Sequence, residues 1–112
     1  MGTFTKGDIV LFPFTYTDLT TRKIRPCLVL SNEMEEDILL CQITSIKSLK
    51  DSFSILLKQN ETINGTLSQD SLVRTNMLFI ANTSQIVKRI CSIKKEKYLN
   101  VVSKIMDLIG VN

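Results

Sequence analysis

The chain has 112 residues, of which 44% are hydrophobic and 22% are charged, and its formal net charge is +3. This length predicts one domain, over residues 1–112, that folds around its own core without disulfides or metal. The small positive charge fits an anionic partner but does not demonstrate one. Because no uncharged apolar run is long enough to span a membrane and no secretory leader is evident, we expect a cytoplasmic protein with no membrane partner.

The composition also restricts the chemistry. There is no histidine, which removes the commonest general base and the commonest metal ligand. The three cysteines are far apart in sequence and have apolar neighbours, so we expect reduced core thiols at Cys27, Cys41 and Cys91. The sequence contains neither a phosphate-cradling glycine loop nor a carboxylate pair at metal-ligand spacing. It therefore predicts no metal site and no cofactor.

Short apolar runs separated by turn residues predict a mainly β fold. In the first half of the chain we expect strands over residues 9–14, 26–30, 38–43 and 53–57. The first three could form a meander. Pro13 restricts the end of the first run to a sheet edge or a bulge. The polar segment Thr15 to Lys23 is too long for a tight hairpin, and loops of this kind often carry ligands.

In the second half, shorter strands give way to a helix. Asn64-Gly65 predicts a turn, because both residues tolerate positive φ. Strand pieces are expected over 71–74, 77–80, 86–87 and 90–91. Beyond them apolar residues recur at helical spacing, which predicts a helix capped by Ser92 and ended by Gly110. Its apolar face comprises Tyr98, Val101, Val102, Ile105, Met106 and Ile109. Together these elements predict a small, strongly bent sheet or partly closed barrel with one packed helix.

Cationic and hydroxyl side chains concentrate at the predicted strand ends. Arg25 precedes a proline, which biases the arginine toward extended backbone and so holds its guanidinium rigidly. Thr44 and Ser45 follow a core strand, and Arg74 ends a later one. This set suits an anion with distributed charge. Taken singly, Arg25 also fits a solvated charge on an edge strand, and Thr44-Ser45 fits a strand-terminating turn.

Several ordered motifs resemble those of the MazF/PemK-like toxins, ribonucleases of bacterial type II toxin–antitoxin pairs. The matching segments are Lys6-Gly7-Asp8-Ile9-Val10, Arg25-Pro26-Cys27-Leu28-Val29-Leu30-Ser31, Ile43-Thr44-Ser45 and Asp70-Ser71-Leu72-Val73-Arg74. The resemblance implies a small SH3-like barrel of the CcdB/MazF type with a C-terminal α-helix. It also implies a symmetric homodimer that holds single-stranded RNA, and a cognate antitoxin with a flexible acidic segment that covers the basic channel.

The same resemblance assigns roles to individual residues. It implies that Arg25 is the main catalytic residue and Thr44 its hydroxyl partner in a metal-independent, sequence-selective cleavage. Attack by the ribose 2′-hydroxyl would leave cyclic phosphate and 5′-hydroxyl ends. The residues expected to bind RNA are Lys23, Ser45, Arg74, Asn76 and Tyr16. Asn76 replaces an aspartate that some relatives use as a base, and it can position RNA but cannot remove a proton. The sequence leaves the general base, the recognised bases and the class of RNA open.

Two other functions fit the same sequence. The first is a non-enzymatic toxin of this fold that blocks a protein such as DNA gyrase, as the CcdB toxins do. Arg25 and Thr44 argue against it, because that role needs a contact surface at a helix end rather than a polar site between strands. The second is a barrel that binds RNA or a peptide without chemistry, which the presence of Asn76 favours.

Overall fold

The computed structural model describes residues 3–15, 22–46 and 51–110, and these form one antiparallel sheet and one α-helix. The strands are β1 (Asp8–Thr15), β2 (Arg22–Val29), β3 (Asp37–Ser45), β4 (Ser54–Leu57), β5 (Thr62–Ile63), β6 (Ser71–Asn82) and β7 (Lys88–Ile93), and the helix is α1 (Lys95–Ile109). Their order across the sheet is β4-β6-β3-β2-β1-β7-β5. The sheet is curled into a half-barrel, so the predicted fold class is confirmed. Strands β1, β2 and β3 form the expected meander.

The sheet separates two hydrophobic clusters. Since neighbouring residues of a strand point to opposite faces, Leu28 belongs to one cluster and Cys27 and Val29 to the other. The first, the helix-side core, includes Val101 and Ile105 of α1. The second, the aromatic-side core, has partly buried phenylalanines packed against it. The two faces of the sheet are therefore chemically distinct.

The helix packs on the sheet through only part of its predicted apolar face, since Met106 is 62% exposed and Ile109 73% exposed, and it begins later than predicted. Val101 and Ile105 are buried, and the hydroxyl of Tyr98 donates a hydrogen bond of 2.6 Å to the backbone oxygen of Leu30. The N-cap is Lys94, so the prediction of a Ser92 cap is wrong. Ser92 lies in β7, where its hydroxyl donates instead to the buried carboxylate of Asp8 at 2.9 Å. In the described part of the chain no helix is long and apolar enough to span a membrane.

The turn at Asn64-Gly65 and the edge position of Pro13 agree with the sequence-based predictions, whereas residues 86–87 do not. Asn64 and Gly65 have φ angles of 57° and 126°, as the turn requires. Strand β1 pairs with β2 as far as Thr15 but with β7 only as far as Leu11, so Pro13 has a strand on one side alone, which confirms its edge position. Residues 86–87 were expected in a strand, which is wrong: they follow a 3-10 turn over Thr83–Gln85.

Candidate functional site

The arginine and threonine predicted to act together lie on one face of two paired strands. Cys27 of β2 is the cross-strand partner of Gln42 of β3. Arg25 lies two residues before Cys27, and Thr44 two residues after Gln42, so both lie toward the same end of the sheet. Because side chains repeat every two residues along a strand, Arg25 and Thr44 share the face of Cys27 and Gln42. Both residues are half-buried. We call this surface the Arg25 face.

Aromatic side chains form the floor beside Arg25. Its partner on β1 is Phe12, and the partner of Lys23 is Phe14. The rings of Phe12, Phe14 and Phe79 pack edge to face, with centroids 5.3 to 5.6 Å apart. Cross-strand pairs of this kind bring Cβ atoms to about 5 Å. A packed aromatic cluster therefore lies next to Arg25 across the strand pair.

A second arginine lies on the same face, at a bulge in β6. The step from Cys41 to Ile43 spans two residues of β3, whereas the matching step from Leu78 to Val73 spans five residues of β6. The additional residues of β6 belong to the segment from Arg74 to Met77. Up to Arg74 the pairing with β4 is regular, and Leu72, two residues earlier, is the partner of Thr44. Arg74 consequently lies on the Arg25 face at the point where the strand bulges, and bulges commonly re-aim side chains next to active sites.

Two hydrogen bonds from buried side chains fix the bulge. The hydroxyl of Thr75 is 1% exposed and donates to the backbone oxygen of Phe53 at 2.5 Å. On the other side, the thiol of Cys41 donates to the backbone oxygen of Arg74 at 2.9 Å. The backbone around Arg74 is thus held on one side by Cys41 of β3 and on the other by Phe53, the residue that precedes β4.

The guanidinium of Arg74 has an unused donor. Its Nε is buried and has no hydrogen-bond partner among the described residues. A buried donor without a partner costs about 1–3 kcal/mol, so native proteins rarely keep one without a reason. An incoming anion would supply the missing acceptor, and a phosphate suits the planar guanidinium well.

The other predicted site residues are distributed more widely. Lys23 is exposed and, two residues before Arg25 in the same strand, lies on the Arg25 face. Asn76 is exposed within the bulge. Ser45 follows Thr44 directly, so strand alternation places it on the opposite face, across from Ser71. Tyr16 lies outside the described residues.

The three thiols are packing groups. All are buried and free, as predicted. Burial raises the pKa of Cys27 to about 12, with a contribution from nearby Cys41, and burial raises that of Cys41 to about 12. A thiol reacts as its thiolate, and at neutral pH these thiols stay protonated. Among the described residues no group of three His, Cys, Asp or Glu side chains could hold a metal ion.

Sequence reasoning missed the residues that support the site. Thr75 and the thiol of Cys41 hold Arg74, and the aromatic contact of Phe79 with Phe12 crosses from β6 to β1. The bulge left one signal in the sequence: the polar residues Thr75 and Asn76 interrupt what is otherwise a long apolar strand. Such an interruption can equally separate two strands, which was the prediction for residues 71–80.

Comparison with known proteins identifies the family. Over residues 5–109 the sequence matches the family described as PemK-like, MazF-like toxin of type II toxin–antitoxin system. The chain belongs to the MazF/PemK toxin family. A search of the curated proteins found no match. The match covers the whole Arg25 face of this MazF-like toxin, from β1 through the bulge in β6.

Solved structures of other MazF-like toxins have the same fold. A MazE–MazF crystal structure from Deinococcus radiodurans is 18% identical, covers 97% of this chain and 98% of that chain, and has a TM-score of 0.77. A mycobacterial endoribonuclease in complex with its cognate antitoxin is 9% identical, covers 98% of each chain and has a TM-score of 0.73. The Mycobacterium tuberculosis toxin MazF-mt6 is 14% identical, covers 92% of this chain and 98% of that chain, and has a TM-score of 0.66. At these identities the likeness concerns the fold.

Proposed function

We propose that this MazF-like toxin is a cytoplasmic endoribonuclease that cleaves single-stranded RNA without a metal and with sequence selectivity. The observation that carries the proposal is the position of Arg25 and Thr44 on one face of paired strands, with Arg74 on the next strand. Family membership supports it, as does the description of one structural neighbour as an endoribonuclease. Metal independence rests on the absence of histidine and on the spacing of the cysteines.

The reaction is attack of the ribose 2′-oxygen on the adjacent phosphorus, with departure of the 5′-oxygen. It passes through a phosphorane-like transition state that carries more negative charge on its oxygens than the ground state. A fixed guanidinium and a hydroxyl stabilise that added charge, which lowers the barrier. Arg25 has this electrostatic role because a guanidinium carries a positive charge and five N–H donors in a planar array. Thr44 donates a hydrogen bond to the same phosphate.

Arg74 positions the substrate. Its buried Nε has no acceptor among the described residues, and a phosphate oxygen flanking the cleaved bond supplies one. Holding the backbone in this way aligns the 2′-oxygen with the breaking bond, and alignment alone supplies a large part of the rate. Alignment requires splayed nucleotides, so the substrate is single-stranded. Lys23 and Asn76 are the expected further RNA contacts on this face, and Tyr16 stays a prediction, whereas Ser45 lies on the opposite face and is not among them.

The toxin acts as a homodimer and is neutralised by a cognate antitoxin. Beyond the face that packs on the sheet, α1 presents a second apolar stripe with the spacing i, i+3, i+7 and i+10, formed by Leu99, Val102, Met106 and Ile109. Met106 is 62% exposed and Ile109 73% exposed. A second copy of the chain covers these side chains. The antitoxin presents an acidic flexible segment to the Arg25 face, and structural neighbours described as MazE–MazF complexes support such a partner.

Cleavage of a long single-stranded RNA in the presence of EDTA tests the activity. We expect fragments with 5′-hydroxyl and cyclic phosphate ends. Arg25→Ala should lower the cleavage rate about a hundredfold to a thousandfold, the typical loss for one charge-stabilising donor, and Thr44→Ala should lower it by a similar factor. Lys95→Ala, which removes one exposed positive charge at the start of α1, is the matched control and should cleave normally.

Each alternative has its own outcome in this experiment. Full activity of a folded Arg25→Ala variant would refute the site. RNA binding without any cleavage across a random pool would indicate a non-catalytic barrel. Inhibition of DNA gyrase by a protein that leaves RNA intact would indicate a toxin directed at a protein. Melting temperatures within a few degrees of the wild type establish that each variant is folded.

A further inference from the structure

A carboxylate is fixed at the border of the Arg25 face. Oδ1 of Asp51 accepts hydrogen bonds from the backbone N–H groups of Phe53 at 3.0 Å and Ser54 at 2.6 Å, and Oδ2 accepts from the hydroxyl of Ser54 at 3.0 Å. An exposed aspartate with three such bonds has little freedom to rotate. Asp51 is therefore a preorganised acceptor rather than a mobile surface charge.

This carboxylate is tied to the arginine in the bulge. Ser54, which it holds, is the cross-strand partner of Arg74. Although desolvation raises the pKa of the Asp51 carboxyl, hydrogen bonds from Ser54 and Phe53 and the positive charge of Arg74 lower it more, so the net pKa lies below the ordinary value. The carboxyl is ionised at neutral pH and lies close enough to the Arg74 guanidinium to interact with its charge, and the Nε of that guanidinium has no acceptor among the described residues.

A fixed carboxylate repels a bound phosphate, but it can accept a hydrogen bond from a nucleobase. A carboxylate accepts hydrogen bonds and donates none. Of its roughly four acceptor positions, two on Oδ1 and one on Oδ2 are occupied, which leaves one on Oδ2. Adenine and cytosine each present a single exocyclic amino group to such an acceptor. The N–H of uracil lies between two carbonyl oxygens that a carboxylate repels, and the paired donors of guanine call for two free oxygens.

We infer that Asp51 is a specificity-determining residue, which selects adenine or cytosine over uracil at the nucleotide next to the phosphate held by Arg74. The inference rests on the proposed cleavage activity and adds a base preference to it. The position is that of the unpaired base adjoining the Arg74 phosphate, where the amino group donates to the free position of Oδ2. Arg74 binds the RNA phosphate and Asp51 recognises the adjoining nucleobase.

Cleavage of a random single-stranded RNA pool, followed by sequencing of the cut ends, measures this preference. The wild type should favour adenine or cytosine over uracil about tenfold at one position, as expected for one hydrogen bond to a charged acceptor. In Asp51→Asn, the side-chain oxygen keeps the bonds from the backbone N–H groups of Phe53 and Ser54, while an amino group replaces Oδ2 and can no longer accept from the Ser54 hydroxyl. This variant should still cleave RNA, and its preference at that position should disappear or reverse toward uracil and guanine.

Two further substitutions separate recognition from loop structure. Asp51→Ser keeps a short capping oxygen without charge and should lose the preference in the same way, so the inference can be tested even if Asp51→Asn folds poorly. Asp70→Asn is the matched control, because Oδ1 of Asp70 caps the N–H of Gln59 at 2.8 Å in another loop, and its base preference should equal that of the wild type.

The outcomes distinguish this inference from the proposed function. If the wild type does not cleave RNA, the proposed function fails. If it cleaves RNA and folded Asp51→Asn or Asp51→Ser keeps the wild-type preference at every position, the inference about Asp51 is overturned while the nuclease stands. A preference altered equally by Asp70→Asn would also overturn it, since the effect would then come from loop stability.

Discussion

Replacing Thr75 by valine tests whether the bulge in β6 positions Arg74. Valine has nearly the same shape as threonine but lacks the hydroxyl that donates to the backbone oxygen of Phe53 at 2.5 Å. Thr75 is 1% exposed, so water does not replace the lost donor at its own position. A neutral hydrogen bond contributes about 0.5–1.5 kcal/mol, and an acceptor left without a partner adds to the cost. We expect the free energy of unfolding to fall by about 1–2 kcal/mol.

This loss is measurable by heat and by activity. At 112 residues, a loss of 1 kcal/mol lowers the melting temperature by about 3–6 °C, so Thr75→Val should melt roughly 5–10 °C below the wild type. Because a displacement of about 1 Å can cost a hundredfold in rate, the shifted bulge should also lower kcat/KM for RNA cleavage about tenfold to a hundredfold. Differential scanning fluorimetry and a fluorogenic RNA substrate provide the two measurements.

Two control variants isolate the hydroxyl of Thr75. Thr75→Ser keeps the donor and removes a methyl group, so it should lose about 1 kcal/mol of stability but retain its activity. Thr62→Val removes a hydroxyl that donates to the backbone oxygen of Gln59 at 2.6 Å, away from the Arg25 face, and activity should be unchanged. A Thr75→Val protein with wild-type stability and wild-type activity would refute the role given to the bulge.

Two further predictions concern the thiols and the helix. Burial raises the pKa of Cys27 and of Cys41 from 9.0 to about 12. The unfolded chain therefore releases these thiol protons from about pH 9, whereas the folded chain retains them to about pH 12. The free energy of unfolding is consequently undiminished below pH 9 and falls as the pH rises from about 9 to about 12. Urea titrations at several pH values should show this fall, and the unfolding free energy of Cys27→Ala should decrease less steeply with pH than that of the wild type. Met106→Lys should shift sedimentation toward the monomer because it places a charge in the exposed apolar stripe of α1. Asn100→Lys, on another side of the helix, should not. Equal sedimentation of both variants and the wild type would contradict the proposed interface.

Local signals in the sequence were sufficient to predict the sheet and the helix, whereas the association of Arg25 with Thr44 was implied only by the resemblance to MazF/PemK-like toxins. Pro26 and Pro13 mark strand positions, Asn64-Gly65 marks a turn, and the helical spacing of apolar residues is unambiguous from Tyr98 onward. The connection between β2 and β3, residues 30–36, is longer than a tight hairpin turn, so it does not by itself set the register of the two strands.

The remaining features depend on contacts between residues distant in sequence. Ser92 is a good capping residue in isolation, but the buried carboxylate of Asp8, 84 positions away, uses its hydroxyl. The bulge in β6 depends on Thr75 bonding to Phe53 and on the thiol of Cys41 bonding to Arg74. Asp51 appears in the sequence as an ordinary loop aspartate, and its relation to Arg74 emerges only from the pairing of β4 with β6. No periodicity encodes such pairings.

Because a single sheet separates the two hydrophobic cores, amino-acid substitutions in one core have different effects from substitutions in the other. Substitutions among the helix-side residues, for example at Val101 or Ile105, alter packing on the wall opposite Arg25 and Thr44. The aromatic cluster, in contrast, is at once part of the fold and the support of the proposed cutting groups. We therefore expect substitutions to be tolerated more readily in the helix-side core than in the aromatic cluster beside Arg25 and Thr44.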